Sequence, residues 1–311
     1  MISPYLIDAS LLPDPHMTVS ESNKPINGLP AGFVGIQTNT AGHYFFTREE
    51  MEDFILVEPL SAGLFRPFLG TEEFLNNKER FILHLDGVSP GTLAKMPLVQ
   101  DRMRAVSDLR AKSKKPAAQK LAAYPTKYYS GLIPTTPFLL VPVVSSERRT
   151  YIPMGFLTPP TIAASPCSII PNATKALFGL LTSAMHMDWM RTVGSRLKSD
   201  YRYTLGSVYN TFPAPDITAQ DEAKLESLAD AVLTARDNYP DDSLAELYDP
   251  NLMPPDLRKA HQALDRFVDN LYRPNGFSSE QERVEHLLGM YAKMIQATQS
   301  SAKPSKPKKK P

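Results

Sequence analysis

The chain has 311 residues, 42% apolar and 22% charged. That length suits about two domains, and the composition excludes a disordered, collagenous or coiled-coil chain. Cys167 is the only cysteine, so neither an intrachain disulfide nor a cysteine-based zinc site can form. No run approaches the ~18 to 20 apolar residues that span a bilayer, and Met1-Ile2-Ser3-Pro4 lacks the charged start of a signal peptide. A soluble, cytoplasmic protein of a reducing compartment, without a membrane partner, is the expectation.

The net charge of +1 conceals a segregation. Residues 1–90 carry 5 Lys/Arg against 12 Asp/Glu, residues 91–215 carry 16 against 5, and residues 216–300 carry 8 against 16. The stretch 301–311 adds 5 lysines. A basic middle between acidic flanks creates a local field that suits a polyanion, of which nucleic acid is the commonest. The same pattern also fits solvated cations paired with the acidic flanks.

In chain order, 29 prolines punctuate short elements. Gly32-Phe33-Val34-Gly35-Ile36 and His43-Tyr44-Phe45-Phe46 read as short strands or extended loops. Thr47 with Glu50 forms a capping box that opens a helix through Met51 and Phe54. Glu72-Glu73 near Lys78 is a carboxylate pair with a lysine, read as a helix start rather than a nuclease centre. Arg80 to Leu85 is a strand ended by Asp86-Gly87.

Pro97 suits a first helical turn, and Val99, Met103, Val106 and Arg110 follow at helical spacing. The exposed side of that helix is expected to offer Arg102, Arg104, Lys112, Lys114 and Lys115. Strands are predicted at 138–144, 151–157 and 167–170, then one apolar helix over 174–193 holding Trp189, with Gly194 marking its end. Beyond Phe212-Pro213-Ala214-Pro215 the texture turns acidic and helical. Thr218 with Asp221 caps a helix through Leu225 and Val232, a second follows Pro254-Pro255, and a third starts near Ser279. The fold class expected is α+β: a mixed sheet-and-helix domain over 1–215, then a small all-α bundle over 216–300. The Lys/Pro-rich 301–311 is expected to be disordered.

The sequence contains no Gly-rich phosphate loop, paired-histidine metal motif or nucleophile elbow. His16, His43, His84, His186, His261 and His286 are scattered without ligand spacing, and His186 reads as a hydrogen-bonded core or interface histidine. No catalytic residue and no metal ligand is assigned. The distinctive stretch is Gly194-Ser195-Arg196-Leu197-Lys198-Ser199-Asp200-Tyr201-Arg202-Tyr203. Lys198 and Asp200, two apart on an extended segment, would project from one face. A Lys donor suits guanine O6/N7 and an Asp acceptor suits the paired cytosine N4. Arg196 and Arg202 suit phosphates, which position without specifying, as do Arg102, Lys112, Lys114 and Lys115. A salt-bridged, solvated turn is the alternative. Ser145-Ser146-Glu147-Arg148-Arg149 is a second cationic loop. There Arg148 or Arg149 would fork onto guanine or phosphate with Glu147 orienting one, unless the segment is a buried Glu–Arg clamp.

Several ordered motifs resemble the target-recognition region of the MmeI-like (type IIL) restriction–modification enzymes. They are Ser3-Pro4-Tyr5-Leu6-Ile7-Asp8, Arg66-Pro67-Phe68-Leu69-Gly70, Glu73-Phe74, the 145–149 loop with Tyr151-Ile152-Pro153-Met154-Gly155-Phe156, Phe178 to Met187, Arg196 to Tyr203, and Val208-Tyr209-Asn210-Thr211-Phe212-Pro213. Ser243 to Pro250, Met253-Pro254 and Ala260 to Asp265 resemble that family's C-terminal helical segment. The resemblance covers the chain except the lysine-rich end. It departs at Ala214, where the family often has tryptophan, and at Ile82-Leu83-His84-Leu85, which replaces a tryptophan-containing strand.

The resemblance implies a double-stranded DNA recognition module in which Lys198 and Asp200 help choose one base pair. It also implies an S-adenosylmethionine-dependent adenine-N6 methyltransferase whose cofactor and Asn-Pro-Pro-aromatic motif lie elsewhere, on a separately encoded methyltransferase/nuclease polypeptide or a missing domain. A truncated remnant and a protein-interaction scaffold are the alternatives.

Overall fold

The computed structural model describes residues 3–5, 14 and 16–301. Residues 302–311 of the stretch expected to be disordered, and residues 6–8 of the first motif, lie outside them, while residue 301 ends the last helix. In chain order the elements are β1 (Phe33–Val34), β2 (Phe45–Phe46), α1 (Arg48–Val57), β3 (Phe65–Leu69), α2 (Thr71–Leu75), β4 (Phe81–Leu83), α3 (Pro90–Leu93), α4 (Pro97–Ala111) and α5 (Pro116–Lys120). Then come β5 (Phe138–Val141), β6 (Val144–Ser145), β7 (Gly155–Leu157), β8 (Ile162–Ala163), β9 (Ser168–Pro171), α6 (Lys175–Leu181), α7 (Ala184–Val193), β10 (Ser195–Leu197) and β11 (Asp200–Arg202). The last four are α8 (Ala219–Asp237), α9 (Leu244–Leu247), α10 (Pro255–Tyr272) and α11 (Glu280–Ser301). The α+β reading holds, with its helical C-terminal region.

Three small sheets carry the first two thirds of the chain: β2-β4-β3-β8, β1-β9-β5-β7 and β10-β11-β6. β3 and β8 pair in parallel, and the other pairings are antiparallel. β5 is buried along its whole length, and its alternating side chains feed two cores. Leu139 and Val141 enter the largest core, whereas Phe138 and Leu140 pack with Cys167 and Ile169. A third core gathers Phe46, Phe54 and Phe65 edge to face, with ring centroids 5.0–5.7 Å apart. Ile82, Leu83 and Leu85 are buried there.

Three predicted elements are corrected. The strand expected over 138–144 is two, β5 and β6, which belong to different sheets. The apolar stretch 174–193 is two helices, because Thr182 and Ser183 turn their hydroxyls back onto the Phe178 and Leu180 carbonyls at 2.8 and 2.7 Å. Ser183 then caps α7. The predicted strand 151–157 is β structure only over Gly155–Leu157, and Tyr151 to Met154 form a buried loop. The capping boxes at Thr47 and Thr218 are present. So is the helix-start role of Glu73, which accepts from the Gly70 amide at 2.8 Å.

The C-terminal helices dock on the preceding region of the chain. Leu225, Val232, Leu257, Leu264, Leu287 and Leu288 share one core with Leu139, Phe178, Trp189 and Phe212. α8 lies between α6 and α10, and α6 comes so close that a Cβ on Gly179 would sit 3.1 Å from Leu225 Cδ1. Polar groups lock the same seam. Arg236 donates to the Met154 carbonyl at 2.6 Å and to the Tyr248 hydroxyl at 2.7 Å, and Tyr248 meets His261 Nε2 at 2.8 Å. Tyr151 stacks on His261 and donates to Asp265 at 2.6 Å.

Arg110, at the end of α4, is fully buried. Its guanidinium donates to five carbonyls: Thr38 (3.0 Å), Asn39 (3.2 Å), Leu121 (3.3 Å), Tyr124 (3.1 Å) and Lys127 (2.8 Å). One side chain therefore fixes the loops on either side of the lysine-rich segment. Arg110→Met should lower the unfolding free energy by roughly 3 kcal/mol or more, since the buried acceptors lose their donor. Urea denaturation checks this, and a loss below about 1 kcal/mol contradicts it.

His186, as expected, is a core residue, its Nε2 2.9 Å from the Tyr203 hydroxyl and its ring edge-on to Phe212. Burial pushes its pKa down from an ordinary 6.5 to about 3. The unfolded chain therefore binds a proton that the folded chain refuses. The stability this contributes is full above pH ~6.5 and is lost as pH falls toward 3. The wild-type advantage over His186→Gln should accordingly shrink by about 1.4 kcal/mol per pH unit between pH 6 and 4. Paired urea titrations at each pH read this difference, and a pH-independent one contradicts it.

Candidate nucleic-acid interface

The Gly194–Tyr203 stretch forms a hairpin at the end of α7. Gly194 caps the helix with its amide on the Met190 carbonyl at 2.8 Å, and a Cβ there would approach that oxygen to 2.4 Å, so only glycine allows the close exit. β10 and β11 pair in the register Ser195↔Arg202, Arg196↔Tyr201 and Leu197↔Asp200. Lys198 and Ser199 make the two-residue turn. Lys198 therefore does not share an extended segment with Asp200: it occupies the tip with φ +57°, a left-handed conformation that costs a lysine about 1–2 kcal/mol. The expected common face is replaced by a tip lysine beside the first residue of the return strand. All three residues of β10 are exposed, as are Lys198 and Arg202, and Asp200 is half-buried.

Opposite residues of an antiparallel pair share a face, so Arg196 and Tyr201 lie together, and the guanidinium carbon sits 4.3 Å from the ring centroid. Arg196 also donates to the Ser199 carbonyl at 3.0 Å and so closes the turn. β11 pairs with β6 through Tyr201↔Ser145 and Arg202↔Val144, which brings the 146–149 turn beside the hairpin. The two cationic loops, far apart in sequence, thus become one surface.

Within that surface the expected orientation of Arg148 or Arg149 by Glu147 is not what forms. Glu147 faces Arg196 at 3.9 Å, and Arg148 faces Asp249 of the loop after α9 at 3.7 Å. The Glu147–Arg196 pair is solvent-exposed and worth roughly 0–1 kcal/mol, whereas in the second pair Arg148 is exposed and Asp249 half-buried. Arg149 is half-buried. Desolvation lowers its pKa, and the carboxylates of Asp249 and Asp200 work against that shift.

The remaining cations divide. Lys112, Lys114 and Lys115 are exposed between α4 and α5. Arg102 is instead half-buried, donating to the His43 carbonyl at 3.3 Å with its guanidinium 4.9 Å from the Phe46 ring centroid, so it belongs to the packing of α4 more than to an open face. Among the described residues, no group of three or more His, Cys, Asp or Glu side chains is placed to hold a metal ion. Nor is any helix long and apolar enough to cross a membrane.

Sequence reasoning missed the groups beneath this surface. Asp188 and Arg191 sit under the hairpin, with Arg191 against its Tyr201, and Arg283 reaches Asp188 from α11. The only sequence signal was a carboxylate and an arginine three apart in an otherwise apolar helix.

Comparison with known proteins accords with this geometry. Residues 13–216 match the family described as MmeI, target recognition domain, and residues 217–298 match MmeI, C-terminal domain. DNA methyltransferase A of Bacillus subtilis (strain 168) is 38% identical over 295 residues, which are 95% of this chain and 33% of that protein. The solved structure of the type IIL restriction-modification enzyme MmeI in complex with DNA superposes with a TM-score of 0.90 at 41% identity, over 95% of this chain and 39% of that one. The chain thus spans about a third of the length of its curated relative. It belongs to the MmeI family, whose target-recognition and C-terminal domains follow one another along it.

Proposed function

We propose that this chain is the sequence-reading part of a type IIL-like restriction–modification and adenine-N6 DNA methyltransferase system, and that it acts by binding double-stranded DNA. The observation that carries this reading is the exposed cationic hairpin 195–202 joined through β6 to the 146–149 turn, on a chain of the target-recognition family. Exposed lysines and arginines follow phosphates, and a two-stranded ribbon is narrow enough to enter a major groove. Methyl transfer from S-adenosylmethionine would be supplied by sequence outside this segment, in the same polypeptide or a partner one.

In this reading Arg196, Arg202, Lys112, Lys114 and Lys115 contact phosphates. Arg102 supports α4 and contributes to the field of that face. Lys198 at the tip donates to guanine, and Asp200 accepts from the paired cytosine amino group. Arg148 reads or clamps at the second loop, while Arg149 acts from beneath by facing Asp200. The strain at Lys198 supports a role for the tip, because an exposed turn under no functional demand is better served by glycine.

Binding to random duplex DNA should weaken steeply with salt, log Kd changing by about 0.9 per log unit of salt for each phosphate contact. Fluorescence anisotropy over 50–300 mM salt reads this, and the absence of binding at the low-salt end would leave the protein-scaffold alternative standing. Lys198→Ala with Asp200→Ala should relax preference at one base pair, a loss of about 1–3 kcal/mol per good bidentate contact, and leave random-duplex binding largely intact. Arg196→Ala should instead weaken binding to all sequences. Selection from a randomised duplex library compares the variants, and an unchanged sequence preference in the double variant contradicts the base-reading roles. Lys198→Gly separates fold from function: it should raise the urea midpoint slightly while relaxing the same base pair.

A further inference from the structure

Three segments meet at one guanidinium. Arg191, in the last turn of α7, donates through Nη1 to Asp188 Oδ1 at 2.7 Å and through Nη2 to the Thr150 carbonyl at 2.5 Å. Its guanidinium carbon also lies 5.9 Å from the Tyr201 ring centroid. Thr150 ends the turn that carries Arg148 and Arg149, and Tyr201 is the β11 residue on which Arg196 stacks. Asp188 is only 3% exposed in its side chain, and its other oxygen takes Arg283 of α11 at 3.3 Å. Arg283 in turn makes a two-point pair with Asp269 of α10, at 2.9 and 2.7 Å.

We propose that Arg191 is a positioning residue for sequence reading, a brace through which the C-terminal helices fix the two reading loops relative to each other. The proposal rests on the DNA-binding reading above. A buried ion-pair chain adds little net stability over apolar packing of the same volume, but a planar fork with fixed donors adds direction. Apolar contacts along the seam, such as Trp189 and Leu287, already hold α7 to α11. What the charges add lies at the far end, where one guanidinium touches the backbone of one loop and the aromatic floor of the other. Groups that read bases must be held to within about 0.5 Å, and three-residue strands cannot supply that alone.

The test uses the full chain and the variants Arg191→Met, Arg191→Lys and Arg283→Met. Hydrogen exchange of the free protein should show amides 146–150 and 195–202 opening at least tenfold faster in Arg191→Met and Arg283→Met. On DNA, the ratio of affinities for the selected site and a random duplex should fall at least tenfold, with random-duplex Kd within about threefold of wild type. Arg191→Lys can keep the Asp188 pair but not the fork to Thr150, so it should recover stability without recovering discrimination; it also decides the matter if Arg191→Met does not fold. A folded Arg191 variant with wild-type exchange and wild-type discrimination overturns the proposal. If the wild type bound no duplex, the DNA reading would fail, while exchange at the two loops would still decide whether the brace exists.

Discussion

A two-stranded ribbon with three-residue strands is not stable by itself in water, and the surface described above is built to meet that constraint. The hairpin Ser195–Arg202 holds a strained lysine at its tip and exposes the whole of β10. The Arg196–Ser199 bond and the Arg196–Tyr201 stack within it are too few to keep that geometry. Its support comes from outside: β6 adds a third strand, Tyr201 goes down into the core, and α7 delivers the first strand through a glycine exit. The cations can stay at the surface because the hairpin's anchors are buried.

The same constraint explains why the C-terminal helices share a core with the sheets. Trp189, Phe212 and Tyr209 sit beneath the hairpin's root, in a core shared with residues of α8, α10 and α11. Arg236, Tyr248, His261 and Tyr151 form a chain of buried polar contacts across the same seam. A helical segment that only tethered a partner would need no such contacts with the 151–154 segment that follows the Arg148 turn. The acidic charge of residues 216–300 then has a local use: Asp249 faces Arg148, and Asp269 holds the Arg283 that reaches Asp188 of α7.

Much of this was legible in the sequence because it is local. Capping boxes at Thr47 and Thr218, the proline-led α4 and α10, and the apolar runs of β5 and β9 are written in neighbouring residues. The break between α6 and α7 was not, since a threonine and a serine bend a helix only when their hydroxyls turn back to the chain. The Lys198–Asp200 pair was legible as chemistry but not as geometry, because a two-residue turn and an extended strand differ there by the φ of one lysine. Arg110 and Arg191 were hidden for a deeper reason. Their decisive partners are backbone carbonyls brought in by other segments, and no local pattern records them.

The hairpin and its neighbouring turn are the proposed contacts with DNA. Photo-crosslinking from a duplex carrying 5-iodouracil, read by mass spectrometry, would locate those contacts. Crosslinks should concentrate in peptides that contain residues 195–203 and 145–150. Crosslinks confined to the acidic helices beyond residue 216, with none on either loop, would contradict this.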